Sequence, residues 1–415
     1  KFMERFTGIL GIITILGIAF LFSNNKKAIN VRLVLSGLAL QIFLALLILK
    51  VPVVNAFFQA LGKGMKAIEG FAQQGAAFVY GGIMTDTHSP QGAAGALPYG
   101  APGTFVFAFS IPATIILVCV LVAILYHIGI MQRVVAAIAR VMNFIMRVSG
   151  AEALSNVASA FVGQVEAQVM IRPYLAGMTN SELLASMAGS MACIAGGILI
   201  VYVSMGVPAE YLVAASLMAA PGALVIAKIV FPETEESQTK GKVSIEIKSQ
   251  YTNIIDAISH GASDGMKISI NVIAMLIGFI ALMAVINALL GLIHPALGLN
   301  TIFGYLFYPL AWVMGVPKAE VMQVATMMGQ KLTINEFVAY TSLISAKATM
   351  SPKAIAIASF ALCGFANFSS VGIQIGGIGE LAPSRRADLA KLGLKALLCG
   401  TLASYLSATI AGILM

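Results

Sequence analysis

Apolar residues fall in long blocks broken by short polar stretches, and the length of those blocks organises the chain. Phe6–Ser23, Thr104–Tyr126 and Ile268–Pro317 carry no Asp, Glu, Lys or Arg, and a membrane-crossing helix needs roughly 20 mostly apolar residues. The pattern predicts eight crossings, near Phe6–Ser23, Val31–Val51, Thr104–Tyr126, Asn180–Met205, Pro208–Val230, Lys267–Leu292, Ser351–Ile378 and Leu389–Met415. Asn55–Tyr80 reads as a further helix outside the spans, followed by a Gly/Pro-rich loop over Gly81–Gly103. Arg133, Arg140 and Arg147 recur every seven residues, which places them on one helical face and predicts a helix lying in the inner interface.

Composition agrees with the pattern. Of 415 residues, 59% are apolar and 10% charged, against about 25% charged in soluble domains. The net charge of +8 does not imply nucleic-acid binding, because the cations sit at span ends rather than on one accessible face. Lys26, Lys27 and Arg32, then Lys240, Lys242 and Lys248, then Arg385 and Arg386 mark the inner loops and predict both termini outside. Without a small-residue cleavage site after Phe22, the first block reads as a span rather than a signal peptide. Cys119, Cys193, Cys363 and Cys399 fall in apolar windows and read as free buried thiols. His88, His127, His260 and His294 stand apart from one another and suggest no metal site. A short strand is expected at Val243–Ile247.

Two segments, Ala151–Gly177 and Pro317–Met350, are apolar enough for membrane depth yet carry carboxylates. An ionisable residue there is costly and signals function, and irregular backbone survives only inside protein or along a water-filled cavity. Re-entrant helical hairpins meet both conditions. Each is followed by a similar helix start, Met178-Thr179-Asn180-Ser181 and Met350-Ser351-Pro352-Lys353, and then by a break-prone stretch at Cys193–Gly197 or Phe365–Ser370. One hairpin enters from the inside and the other from outside. This inverted repeat with interrupted helices points to a transport site. The fold class expected is therefore an all-α polytopic membrane protein: eight transmembrane helices, two re-entrant hairpins and an interfacial helix. Its regions are 1–127 (three spans, mainly scaffold), 128–149 (interfacial helix), 150–231 (first hairpin, spans 4 and 5), 232–316 (inner loop and span 6), 317–387 (second hairpin and broken span 7) and 388–415 (span 8).

Gly163-Gln164-Val165-Glu166-Ala167, the run Lys331-Leu332-Thr333-Ile334-Asn335-Glu336-Phe337-Val338-Ala339-Tyr340, and Cys363-Gly364-Phe365-Ala366-Asn367-Phe368-Ser369-Ser370 resemble, in order, the motifs of the concentrative nucleoside transporter family. The resemblance implies a homotrimer in the bacterial inner membrane, with a scaffold and a mobile domain moving as an elevator. It also implies a nucleoside substrate such as uridine. By position, Gln164 and Glu166 would bind the nucleobase with Val165 between them, Ile198 would pack on it, Glu336, Asn367 and Ser370 would hold the ribose hydroxyls, and Phe365 would pack at the sugar–base junction. A sodium ion would lie near Ser159, Val162, Cys193 and Ile194. The family often has Asn at the position of Ser159, a hydroxyl residue at Cys193 and Pro at Gln168, and proton coupling through Glu336 or Glu166 is the alternative. No cofactor is implied.

The residues support this chemistry independently. Carboxylates suit the hydroxyl and N–H donors of a nucleoside, and two of them would repel a phosphate. An intramembrane hydrolase using Glu166 and Glu336 lacks a metal cluster or a Ser/His pair, so the chain is not expected to be an enzyme. A channel would favour rings around an oligomer axis over internal repeats. A carrier for a free nucleobase, or a facilitator without ion coupling, is the remaining competitor. Lys331 is expected to snorkel to water.

Overall fold

A computed structural model describes residues 2–80, 107–239, 251–295 and 297–415. The expected loop at Gly81–Gly103, with His88, and the strand at Val243–Ile247 lie outside the described residues. What is described is helical, without a β-strand. The first spans are α1 (Phe2–Leu21) and α2 (Val31–Lys50), and α3 (Pro52–Tyr80) follows α2 directly. Next come α4 (Phe107–His127) and α5 (Ile130–Met146), bent by 76° at Ile128-Gly129. Gly129 adopts φ +77° at the bend, which a glycine tolerates without Cβ strain. Arg133, Arg140 and Arg147 are all exposed along α5 and its C-cap, as the interfacial reading expects.

The first hairpin comprises α6 (Gly150–Ser159), α7 (Glu166–Val169) and α8 (Arg172–Leu175). The interrupted span after it is α9 (Asn180–Ala192) and α10 (Gly196–Ser204), and α11 (Ala209–Val230) recrosses. Two changes from expectation follow. The sixth span is α12 (Ile254–Ile293), 40 residues long and begun well before Lys267. A further apolar helix, α13 (Leu299–Val313), then packs against the second hairpin. That hairpin is α14 (Val321–Thr333) and α15 (Glu336–Ala346); α16 (Pro352–Leu362) and α17 (Phe368–Leu381) form the second interrupted span, and α18 (Arg386–Leu414) ends the chain. Each of the eight expected crossings is thus occupied by helix.

Sequence dictates the starts and stops. Ser149 and Glu152 form a capping box for α6, Thr179 and Glu182 form one for α9, and Ser351 caps α16. Two of the basic loops, those at 26–32 and at Arg385-Arg386, gather on one face, that at 240–248 lying outside the described residues. The Asn24 amide donates to the Val230 carbonyl at 3.0 Å, and the Arg385 guanidinium binds the Met178 carbonyl and, at 2.9 Å, Asn180 Oδ1. On the opposite face Lys347 donates to the Gly206 carbonyl at 2.7 Å.

The two interrupted spans meet in close contact at Gly364. Gly364, at φ +105°, lies so close to α9 that a Cβ would sit 2.4 Å from the Ala192 carbonyl oxygen. Positive φ alone costs an L-residue about 1–3 kcal/mol, and the carbonyl leaves no room for the methyl. Gly364→Ala is therefore expected to lower the thermal midpoint of the solubilised protein by several degrees. Gly372→Ala, in α17 with nothing within 4 Å of the new carbon, is expected to leave it unchanged or raise it, through a helix preference of about 1 kcal/mol.

Candidate functional site

The tips of both hairpins and the breaks of both interrupted spans converge on one cavity of about 280 Å³. Small-molecule sites span roughly 300–1,000 Å³, so this is the scale of one compact solute. Gln164, Val165, Glu166, Ile198, Glu336, Phe365, Asn367 and Ser370 all line it, and Ile111, Ile115, Ile268, Asn271 and Val272 of α4 and α12 close the far wall.

Glu336 is held there by two side-chain donors. It opens α15, where a carboxylate is favoured by the helix dipole, behind Asn335, whose Oδ1 accepts from the Val338 amide at 3.0 Å. The Tyr202 hydroxyl donates to Glu336 Oε1 at 3.0 Å, and Asn367 Nδ2 donates to Oε2 at 3.2 Å. Asn367 also caps α17, its Oδ1 accepting from the Ser370 amide at 2.9 Å and the Ser369 hydroxyl at 2.7 Å. The break in α16–α17 thus presents Asn367 and Ser370 because a helix has to restart there. Glu166 opens α7 after Gly163, at φ +117°, and its side chain is open to the cavity. The positive φ is what calls for a glycine at this position, and a Cβ there would also lie 2.5 Å from Glu166 Oε2 and displace that carboxylate.

Three residues carry the site without having been singled out for it. Tyr202, 1% exposed, holds Glu336 and stacks at 4.5 Å on Tyr340. Gln374 is fully buried and donates to the Met187 carbonyl at 3.2 Å and to Gln164 Oε1 at 3.4 Å, so it orients the glutamine at the hairpin tip. Lys331 departs from expectation. It does not snorkel: it is fully buried, and its ammonium donates to the carbonyls of Ala361 (2.9 Å) and Cys363 (2.8 Å). A helix broken in the membrane leaves C-terminal carbonyls without amide partners, and a cation there satisfies them and the dipole together.

Of the four candidate cation residues, Ser159 ends α6 and Val162 follows it in the first hairpin, while Cys193 and Ile194 lie in the α9–α10 break, and their side chains are a poor set of hard donors. Ser159 donates to the Ser155 carbonyl at 2.7 Å or shares its proton with Ser190 at 2.8 Å, and Gln168 bridges Ser190 and Ser186. The Cys193 thiol faces carbonyls at 3.9 Å and is a soft ligand. Val162 and Ile194 offer only main-chain oxygen. Among the described residues no group of three His, Cys, Asp or Glu is placed to hold a metal.

Comparison with known proteins is consistent over the full length. Family models described as Na+ dependent nucleoside transporter N-terminus, nucleoside recognition (Gate) and Na+ dependent nucleoside transporter C-terminus match residues 10–83, 108–209 and 211–412. The chain is 42% identical to the uncharacterized transporter YutK of Bacillus subtilis, covering 99% of both chains. It is 38% identical to the nucleoside permease NupC of Helicobacter pylori, covering 98% of this chain and 96% of that one. Its structure is similar to CNTnw in an inward-facing substrate-bound state (TM-score 0.91, 40% identity, 99% and 97% covered). It is also similar to a doubly substituted CNTnw in an outward-facing state (TM-score 0.92, 40% identity, 100% and 99% covered).

Lys331→Met is expected to leave the buried Ala361 carbonyl without its side-chain donor and the Cys363 carbonyl with the Ser404 hydroxyl alone, at a cost of about 1–3 kcal/mol, and so to lower the thermal midpoint clearly. An unchanged midpoint would show that another donor reaches Ala361.

Proposed function

The chain belongs to the concentrative, sodium-dependent nucleoside transporter family, and from that premise we propose that it imports nucleosides such as uridine by cation symport. It is a multi-pass membrane transporter rather than an enzyme, of a family with both inward- and outward-facing structures. The observation that carries the substrate assignment is the Glu336 clamp. Both carboxylate oxygens are oriented by neutral donors, Tyr202 and Asn367, and each has further lone pairs to accept the vicinal hydroxyls of a ribose. Ser370 and Asn367 stand beside it. Gln164 and Glu166 face the base edge, Val165 and Ile198 give an apolar wall, and Phe365 covers the junction. Glu166 and Glu336, with no cation lining the cavity, disfavour a phosphate. A free nucleobase would leave the Glu336–Asn367–Ser370 side without a partner.

The proposal extends to a homotrimer in the bacterial inner membrane with both termini outside. The hairpins and interrupted spans form the moving body, which slides elevator-like against α4 and α12. The paired breaks, joined at Gly364 and Ala192, support motion as one unit. Sodium, named in the family's description, is the coupling ion, held largely by main-chain oxygens of Val162, Cys193 and Ile194. One observation favours a second reading, proton symport through Glu336 or Glu166: the Ser159 hydroxyl is engaged by Ser155 and Ser190, and Cys193 supplies sulfur where sodium prefers oxygen.

Uptake of radiolabelled uridine into proteoliposomes tests both readings. Accumulation above equilibrium with an inward sodium gradient alone supports the first, and accumulation with an inward proton gradient alone supports the second. Equilibration without accumulation under both gradients identifies a facilitator, and absence of uptake refutes the substrate. Glu336→Gln is expected to abolish uptake while the protein remains folded and monodisperse; near-normal uptake would remove the ribose assignment. Tyr202→Phe keeps the ring but removes a hydrogen bond to a charged acceptor, worth about 1.5–3 kcal/mol. It is expected to raise the half-saturating uridine concentration at least about tenfold.

A further inference from the structure

The central cavity is not the only chamber along α4 and α12. A second cavity, of about 240 Å³, shares Val162, Glu166, Ala195 and Ile198 with it and continues past the first hairpin. Its far end is formed by the last turn of α4, at Tyr126, by the third turn of α12, at Asp264, and by Tyr251 just before α12. Those ends lie on the face where the basic loops gather, so the two chambers stand in series from Glu336, through Glu166, toward that face.

The second chamber shares with the first a carboxylate and phenol set beside apolar walls, without the first's amide and serine groups among its described lining residues. It has one carboxylate of its own, Asp264, whose side chain is about half exposed and paired to Lys267 at 3.3 Å. Lys267 is not part of the lining. It has two phenol rings, Tyr126 and Tyr251, a wall of small and branched apolar residues, and Glu166 at the passage between the chambers. The back wall is closely packed: Gly261 lets α12 approach α4 so closely that a Cβ would stand 2.8 Å from the Cys119 carbonyl oxygen. The charged groups among the described lining residues, Glu166 and Asp264, are both acidic, and Lys267 offsets only Asp264 from outside the lining, so an anion is disfavoured chiefly by Glu166. A neutral molecule with adjacent hydroxyls and a flat ring suits the space, which is nearly as large as the central one.

We infer that this chamber is a second nucleoside site on the inner side of the transport path. The Asp264 carboxylate accepts the ribose hydroxyls, the Tyr126 and Tyr251 rings cover the base, and the nucleoside reaches it from the central site by passing Glu166. The inference rests on the nucleoside reading above. It adds a stopping point that Glu336 does not serve.

The test is equilibrium binding of radiolabelled uridine to the purified full-length chain. The wild type is expected to bind two uridines per protomer at saturation, and Glu336→Gln to keep only the second. Asp264→Asn and Tyr251→Ala are expected to weaken that second site at least about tenfold. For Tyr251→Ala the tenfold is the loss of a ring stacked on the base, and for Asp264→Asn alone it is the loss of a charged acceptor. In both variants the Glu336-dependent site persists, which also reports that they are folded. Uridine 5′-monophosphate is expected not to displace uridine from the second site. A single uridine per protomer that is lost in Glu336→Gln overturns the second site and leaves the transporter reading standing. Two sites that persist unweakened in both Asp264→Asn and Tyr251→Ala overturn the residue assignment and the inference with it. No uridine bound at all refutes both readings together.

Discussion

A helix that stops inside a bilayer exposes carbonyls and amides that lipid cannot satisfy, and the architecture of this protein follows from meeting that demand twice. At the α9–α10 break, the Gly196 amide donates to the Phe161 carbonyl of the first hairpin tip at 3.1 Å. At the α16–α17 break, Lys331 reaches in from the second hairpin, the Ser404 hydroxyl donates to the Cys363 carbonyl at 2.8 Å, and Asn367 caps the restarting helix. The hairpins supply the partners that the breaks require. Because each tip must touch a break, carboxylates at the tips and hydrogen-bonding groups at the breaks are brought into one cavity as a consequence.

The same demand explains how the first hairpin is held. Ser159, Ser190, Gln168 and Ser186 form a buried chain of side-chain hydrogen bonds between that hairpin and α9. Deeper in, Glu152 and Lys228 pair at 2.8 Å, and Lys228 also reaches Glu233 at 3.2 Å. A buried pair of this kind is costly to break by removing one partner, so it fixes the base of the hairpin while the chain of serines fixes its stem. The polar groups closest to the candidate ion position are thereby occupied in holding the fold.

Much of this was legible in the sequence because it depends on periodicity and on rare residues. Apolar block lengths located the crossings, and intramembrane carboxylates located Glu166 and Glu336. What escaped was whatever looks ordinary in an apolar context. Tyr202 sits in a run of Ile, Leu and Val and reads as packing; only the crossing of α10 over the second hairpin shows that its hydroxyl meets Glu336. Gln374 lies past the break, where nothing in the local pattern marks its contact with Gln164. Lys331 was misread because its sequence neighbourhood gives no sign that the broken end of α16, about thirty residues later, will bring the Ala361 carbonyl and the Ser404-bound Cys363 carbonyl beside it. The start of α12 was missed because its first turns are polar, and the hydrophobic signal begins only at Ile268.

That long helix has a physical consequence for the lipid around it. Forty residues at 1.5 Å each span about 60 Å, twice the roughly 30 Å of a hydrocarbon core. Many of its apolar side chains, Ile277, Leu289 and Leu292 among them, point away from the protein. A rod of this length fits a bilayer only by tilting or by projecting into water. The polar first turns project into water. The apolar run from Ile268 to Ile293, about 39 Å long, exceeds the hydrocarbon core by about 9 Å and makes hydrophobic mismatch, at fractions of a kcal/mol per ångström, a force on α4 and the chambers beside it. Membrane thickness thereby becomes a mechanical input to the protein, delivered through one helix.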